Sequence, residues 1–235
     1  MSTKTVDEFV TALSEDEGAG GTFVQETSEM LEVNLDGRVW ARVGSMVAYT
    51  GSVTFEREGA LEGGIANFIK KQFTGENAPL TKVEGQGQVY LADRKKKLSA
   101  FRLNEEQVSV NGSDLLAFED GVDWDIEALK SAGGLVAGGL FNVTLSGTGS
   151  VVITSHGQPL TLRVEPGSPV YTDPQATVAW AGGLAPSIET DVSAKALLGR
   201  GSGESVQFGF EGDGWVLVQP YEEVPFQQDT QQQQA

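Results

Sequence analysis

Along most of this chain apolar and polar residues alternate, the period of a β-strand with one face on a core. Leu31-Glu-Val33-Asn-Leu35, Phe101-Arg-Leu103 and Leu160-Thr-Leu162-Arg-Val164 show it most clearly. The pattern recurs in three tandem units, spanning about residues 28–92, 93–155 and 156–220. Each unit has the same parts in the same order. A pair of alternating strands closes on an Ala-aromatic step: Ala48-Tyr49, Ala117-Phe118 and Ala179-Trp180. A small, Gly-rich segment with helical potential follows, over residues 61–75, 131–140 and 193–203. A G-x-G step then enters an apolar strand. These steps are Gly85-Gln-Gly87, Gly147-Thr-Gly149 and Gly212-Asp-Gly214, spaced by 62 residues (85 to 147) and 65 residues (147 to 212).

The pattern predicts a mainly β fold of three antiparallel units with few short helices. One unit of three or four strands cannot bury its apolar face alone. Three in tandem can share one core around a pseudo-threefold axis. The glycines allow positive φ and mark a bulge or tight turn entering each strand. Turn chemistry predicts hairpins at residues 34–37 and 155–157.

The ends differ from the repeats. Residues 1–21 read as an appendage, residues 22–226 as one β domain, and the Gln-rich residues 227–235 as a disordered tail. Thr5 and Glu8 fit a capping box, and Val6, Phe9, Val10 and Leu13 fall on one helical face. The simpler expectation is a helix docked on its own domain; the other is an arm that reaches a neighbouring subunit. A second helix is expected over residues 61–75, with Leu61, Ile65, Phe68, Ile69 and Phe73 facing the sheet as a lid.

Composition narrows the functions. With 33 acidic and 16 basic residues the formal charge is −17. That field repels phosphate backbones and anionic membranes, so nucleic acid is not expected as a partner. It suits a soluble surface, or one adapted to high salt. There is no Cys, which excludes disulfides, a thiolate nucleophile and Cys-based metal sites. The N-terminus shows neither an apolar signal region nor an Arg-rich transit pattern, so a cytoplasmic location is expected.

Chemistry-bearing motifs are sparse. The lone His156 sits beside Gly157 without the partners of a hydrolase triad and reads as an exposed turn residue. Glu119, Asp120, Asp123 and Asp125 cluster four carboxylates in seven residues. Such density could hold a hard cation, but EF-hand spacing is absent, and a solvated acidic loop is the simpler reading. Arg94-Lys-Lys-Lys97 is the only basic run and reads as a charged hairpin tip. Gly199-Arg-Gly201-Ser-Gly203 matches a phosphate loop only in composition. Residues 133–141 permit close backbone approach, at a subunit contact, against lipid or in the core.

Several stretches resemble one family: Val43-Gly-Ser-Met46-Val-Ala-Tyr49-Thr-Gly51, Gly63-Gly64, Phe73-Thr-Gly75-Glu76, Gly85-Gln-Gly87, Val178-Ala-Trp180 and Val218-Gln-Pro220-Tyr221. Together, over roughly residues 25 to 222, they are similar to the altered-inheritance-of-mitochondria family of TRAP-like proteins. The resemblance implies a sheet of TRAP-like units and an oligomer. The similar mitochondrial protein is associated with the inner membrane and the organisation of its cristae. No catalytic residues carry over from the family. The expected function is therefore a non-catalytic scaffold or interaction protein, homo-oligomeric, with no cofactor and no bound metal. Two alternatives stand beside it. One is a small-ligand module with pockets between repeats lined by Tyr49, Phe118 and Trp180. The other is a peripheral membrane organiser.

Overall fold

The structure, a computed structural model, describes residues 3–14, 20–57, 80–130, 136–190 and 206–222. The predicted helix over 61–75, the Gly-rich residues 193–203 and the tail 227–235 lie outside these. Helix α1 (Val6–Thr11) is capped as its sequence predicts. The Thr5 side chain accepts the Glu8 N–H, and the Glu8 carboxylate accepts the Thr5 N–H at 2.8 Å. The expected docking does not occur. No residue of α1 is buried, and Val6, Phe9, Val10 and Leu13 stand exposed. The box satisfies the first turn locally, so the helix can form without the sheet.

All other described elements are strands: β1 (Phe23–Gln25), β2 (Met30–Arg42), β3 (Met46–Arg57), β4 (Leu80–Ala92), β5 (Lys97–Asn111), β6 (Leu115–Glu119) and β7 (Val122–Lys130). They continue with β8 (Val136–Ser155), β9 (Leu160–Val164), β10 (Val170–Thr172), β11 (Thr177–Ala181), β12 (Ser187–Thr190), β13 (Val206–Phe210) and β14 (Gly214–Val218). Residues 136–140, expected to have helical potential, are the start of β8. The main sheet is antiparallel, in the order β3-β4-β2-β6-β8-β5-β11-β14-β9, with β1 beside β2 and β7 beside β8. A three-stranded sheet, β10-β13-β12, stands apart.

One pairing rule runs through this order. In each sequence unit the last strand lies between the first two. β4 pairs with β2 and β3, β8 with β5, β6 and β7, and β14 with β9 and β11. The first two strands of a unit are not paired with each other among the described residues. A bulge recurs at one place, between Met46 and Ala48, between Leu115 and Ala117, and between Thr177 and Ala179. The partners across it are Leu91/Tyr90, Ile153/Val152 and Val218/Leu217.

The hairpin expected at residues 34–37 is absent, because β2 runs straight through it. Gly37 (φ 117) faces Gly85 (φ 132) on β4, and both take conformations that disfavour a side chain. The β2–β4 ladder runs on unbroken through this pair where local turn chemistry would have reversed the chain. A Cβ on Gly85 would run into the Ser52 carbonyl of β3.

The expected single core is divided into three clusters. One gathers Leu31, Val33, Val83 and Val89, a second Val108, Phe118, Leu145 and Val151, and a third Trp180, Phe208 and Phe210. Neighbouring units are stitched together at the boundaries. Leu116, Ala117 and Val152 enter the first cluster, and Val178 and Ala179 enter the second.

Candidate interaction surface

Among the described residues two short ladders join one unit to the next within the main sheet. In the first, β2 meets β6, with Val39 opposite Glu119, Trp40 opposite Phe118 and Ala41 opposite Ala117. In the second, β5 meets β11, with Val108 opposite Ala181, Ser109 opposite Trp180 and Val110 opposite Ala179. Both therefore use the Ala-aromatic step. Phe118 stacks on Trp40 at 6.3 Å between ring centres, and Trp124 closes edge-on over Trp40 at 5.2 Å. Trp180 packs against Phe208 and Phe210 at 6.3 and 5.7 Å.

Among the described residues the same step in the first unit has no such neighbour. β3 is a terminal strand of the sheet. Phe118 is 0% exposed and Trp180 2%, whereas Tyr49 is 48% exposed. The row behaves alike throughout: Leu115, Leu116, Thr177 and Val178 are buried, while Met46 and Val47 are exposed. Apart from a ring contact with Phe55 at 5.5 Å, Tyr49 faces outward. A cleft of about 240 Å³ opens at the foot of this row, between the β2–β3 turn, Phe55 and Leu91. The three aromatics expected around inter-repeat pockets thus hold equivalent positions without forming equivalent pockets. Phe118 and Trp180 are core, and Tyr49 alone is open.

The basic run is not a free hairpin tip. Arg94 and Lys95 occupy positive φ (44° and 64°) between β4 and β5, strands that do not pair with each other. Lys96 turns inward and is 1% exposed. Its Nζ lies 2.8 Å from Asp114 Oδ1, donates to the Ser113 carbonyl at 3.0 Å and lies 3.6 Å from Asp93. Arg42, at the end of β2, pairs with Asp93 and also reaches the Ser113 carbonyl at 2.6 Å. Thr154 of β8 donates towards Asp93 at 3.3 Å. Two cations and two carboxylates form a formally neutral knot where units one and two meet. Sequence reasoning missed it, although Asp93 three residues before Lys96 was a local signal for the inward turn.

The remaining candidates are structural in character. Glu119 accepts the Ser150 N–H at 2.7 Å and lies 3.6 Å from Arg102. Its carboxyl sits below the ordinary 4.5. Partial burial pushes it up, but the Ser150 N–H, the Thr22 hydroxyl and Arg102 outweigh that. Asp123 and Asp125 are not in a loop. They are the solvent face of β7, alternating with buried Val122 and Ile126. Lys82 pairs with its cross-strand neighbour Glu56 and with Glu84, and Arg38 joins Glu84 to Asp120, giving an exposed ladder over β3, β4 and β2. Arg38 holds the Glu84 carboxyl down, helped by Lys82. His156 is half-buried instead of exposed. Its backbone N–H donates to Gln219 Oε1 at 2.7 Å, and its ring lies 4.2 Å from that of Tyr221. Among the described residues no helix is long and apolar enough to cross a membrane.

An antiparallel sheet built by one repeated pairing rule defines a mainly β protein, and among the described residues the start of β3 is an uncharged, exposed row at the sheet's end. The chain matches the family described as Mitochondrial biogenesis AIM24 over residues 22–221, and it belongs to that family. It is also similar to a Streptococcus pyogenes protein solved by X-ray crystallography. The two share 26% sequence identity and a TM-score of 0.66, over 86% of this chain and 93% of that one. No curated protein matches.

Proposed function

We propose that this chain is a non-catalytic scaffold that self-associates through the open edge of β3. The observation that carries the reading is Tyr49. It is half-exposed at the position where both other repeats bury an aromatic against a neighbouring strand. An uncovered, uncharged strand edge is a template for pairing, and proteins that keep one generally cover it. In this reading the three sequence units are TRAP-like modules about a pseudo-threefold axis. The recurrent bulge and central last strand support that arrangement. No nucleic acid, cofactor or reaction enters the proposal, and its setting is the cytoplasm.

Light scattering after size exclusion, in low and in molar salt, tests it. The expected mass is a multiple of 24.9 kDa. Salt should strengthen the assembly by screening a charge of −17 on each copy. A mass of one chain at every concentration and both salts would overturn it.

A further inference from the structure

We infer that the partner of the β3 edge is β10 of a second copy, joined head to tail in the register that already links the units within one chain. This deepens the self-association reading and rests on it. The two internal ladders supply the rule. Each pairs the far half of one unit's first strand with the Ala-aromatic step of the next unit. The far halves are Val39-Trp40-Ala41 and Val108-Ser109-Val110. In the third unit the matching stretch is identified by its own partners. Val39 faces Val83, Val108 faces Leu145 and Val170 faces Phe210, each two residues before the first glycine of its G-x-G step. Hence Val170-Tyr171-Thr172, strand β10, is the third unit's equivalent.

β10 pairs with β13 on one side and ends its sheet on the other. Tyr171, at the position of Trp40 and Ser109, is 50% exposed. Two ladders thus need four edges and have them. Among the described residues two further edges of the same kind remain, β10 at one end of the three-stranded sheet and the start of β3 at one end of the main sheet, unpaired with each other. Joining them across copies places Thr172 opposite Ala48, Tyr171 opposite Tyr49 and Val170 opposite Thr50. The central pair would then be aromatic against aromatic, as in Trp40 opposite Phe118. Neither three-residue stretch carries a charge, so two acidic chains can meet there without facing carboxylates in the ladder itself. The two edges differ, so the contact is heterologous and each copy keeps one edge of each kind. Such a contact propagates until a ring closes.

The chain contains no cysteine, which makes the test clean. Tyr49→Cys and Tyr171→Cys chains, carrying different tags, are co-expressed and oxidised, beside each variant alone and the Tyr49→Cys/Tyr171→Cys chain. The expected result is a disulfide between the two differently tagged chains, no linked pair from either variant alone, and a ladder of multiples from the double variant. Linked pairs of Tyr49→Cys alone would mean a symmetric β3–β3 contact and overturn the inference. An internal disulfide in a monomeric double variant would mean closure within the chain and also overturn it. If the wild-type mass is a multiple but no differently tagged chains link, the register fails while self-association stands. A single-chain mass fails both.

Discussion

Replacing Lys96 by Met removes one member of the buried ionic knot and leaves the others in place. Asp114 is fully buried, with Lys96 Nζ 2.8 Å from its Oδ1. Asp93 keeps its pairing with Arg42, whereas Asp114 loses its 2.8 Å pairing with Lys96. Breaking a buried pair in this way costs about 3–5 kcal/mol, since a charge stays behind in a medium that solvates it poorly. Domains are stable by about 5–15 kcal/mol in all, so the loss is a large share. With a urea slope near 3 kcal/mol per molar, the unfolding midpoint should fall by roughly 1–1.7 M. Lys95→Met is the control: Lys95 is exposed in the same turn and should shift stability by no more than about 0.5 kcal/mol. Lys96→Met/Asp114→Leu, which removes both charges of the pair, should recover much of the loss, because what hurts is the uncompensated carboxylate. The assay is urea unfolding followed by Trp fluorescence at one protein concentration. Equal midpoints for Lys96→Met and Lys95→Met would refute the reasoning and return the whole run to the surface.

Three further outcomes follow from other parts of the structure. Trp180→Ala should cost about 3–5 kcal/mol in unfolding experiments and Tyr49→Ala under about 1, although the two occupy one repeat position; equal losses would show that β3 is covered within a single chain. Gly85→Ala forces a side chain into positive φ and into the Ser52 carbonyl, so the melting temperature should drop, with a cost of about 2 kcal/mol or more; an unchanged melt would count against the close β3–β4 approach. Glu119 has a depressed folded pKa, so its contribution is present above the ordinary value of 4.5 and lost as pH falls through the lower folded value. Between about pH 5 and 3, wild type should therefore lose more stability than Glu119→Gln, and parallel curves would remove Glu119 from the account.

Period-two alternation and the G-x-G steps were legible because they are local: each depends on one strand's faces or one backbone bend. What failed was decided from far away. The Asn-Leu-Asp-Gly stretch ending at Gly37 has turn chemistry, but its conformation is set by Gly85 on the strand opposite, 48 residues on (37 to 85). Lys96 is buried by Asp114, while its sequence neighbours Lys95 and Lys97 stay in solvent. Equivalence of Tyr49, Phe118 and Trp180 could be read from spacing. Their different exposure could not, because it depends on which strand the preceding unit supplies. For the acidic residues the alternation Val122-Asp-Trp124-Asp-Ile126 was already a strand signal, and charge density drew attention away from it.

The placement of each unit's last strand has a consequence for synthesis. Among the described residues the first two strands of a unit are not paired with each other, so the native sheet offers a nascent chain no hairpin between them as they leave the ribosome. β2 and β3 must wait for β4, whose residues begin 23 positions after β3 ends (57 to 80). At about 5–20 residues per second that is a delay of seconds, during which two long, sticky strands lie in the open. Once the third arrives it closes both ladders at once. Each module is thus committed by its final segment, and a ribosome that stalls before that segment leaves behind an unpaired intermediate prone to aggregate.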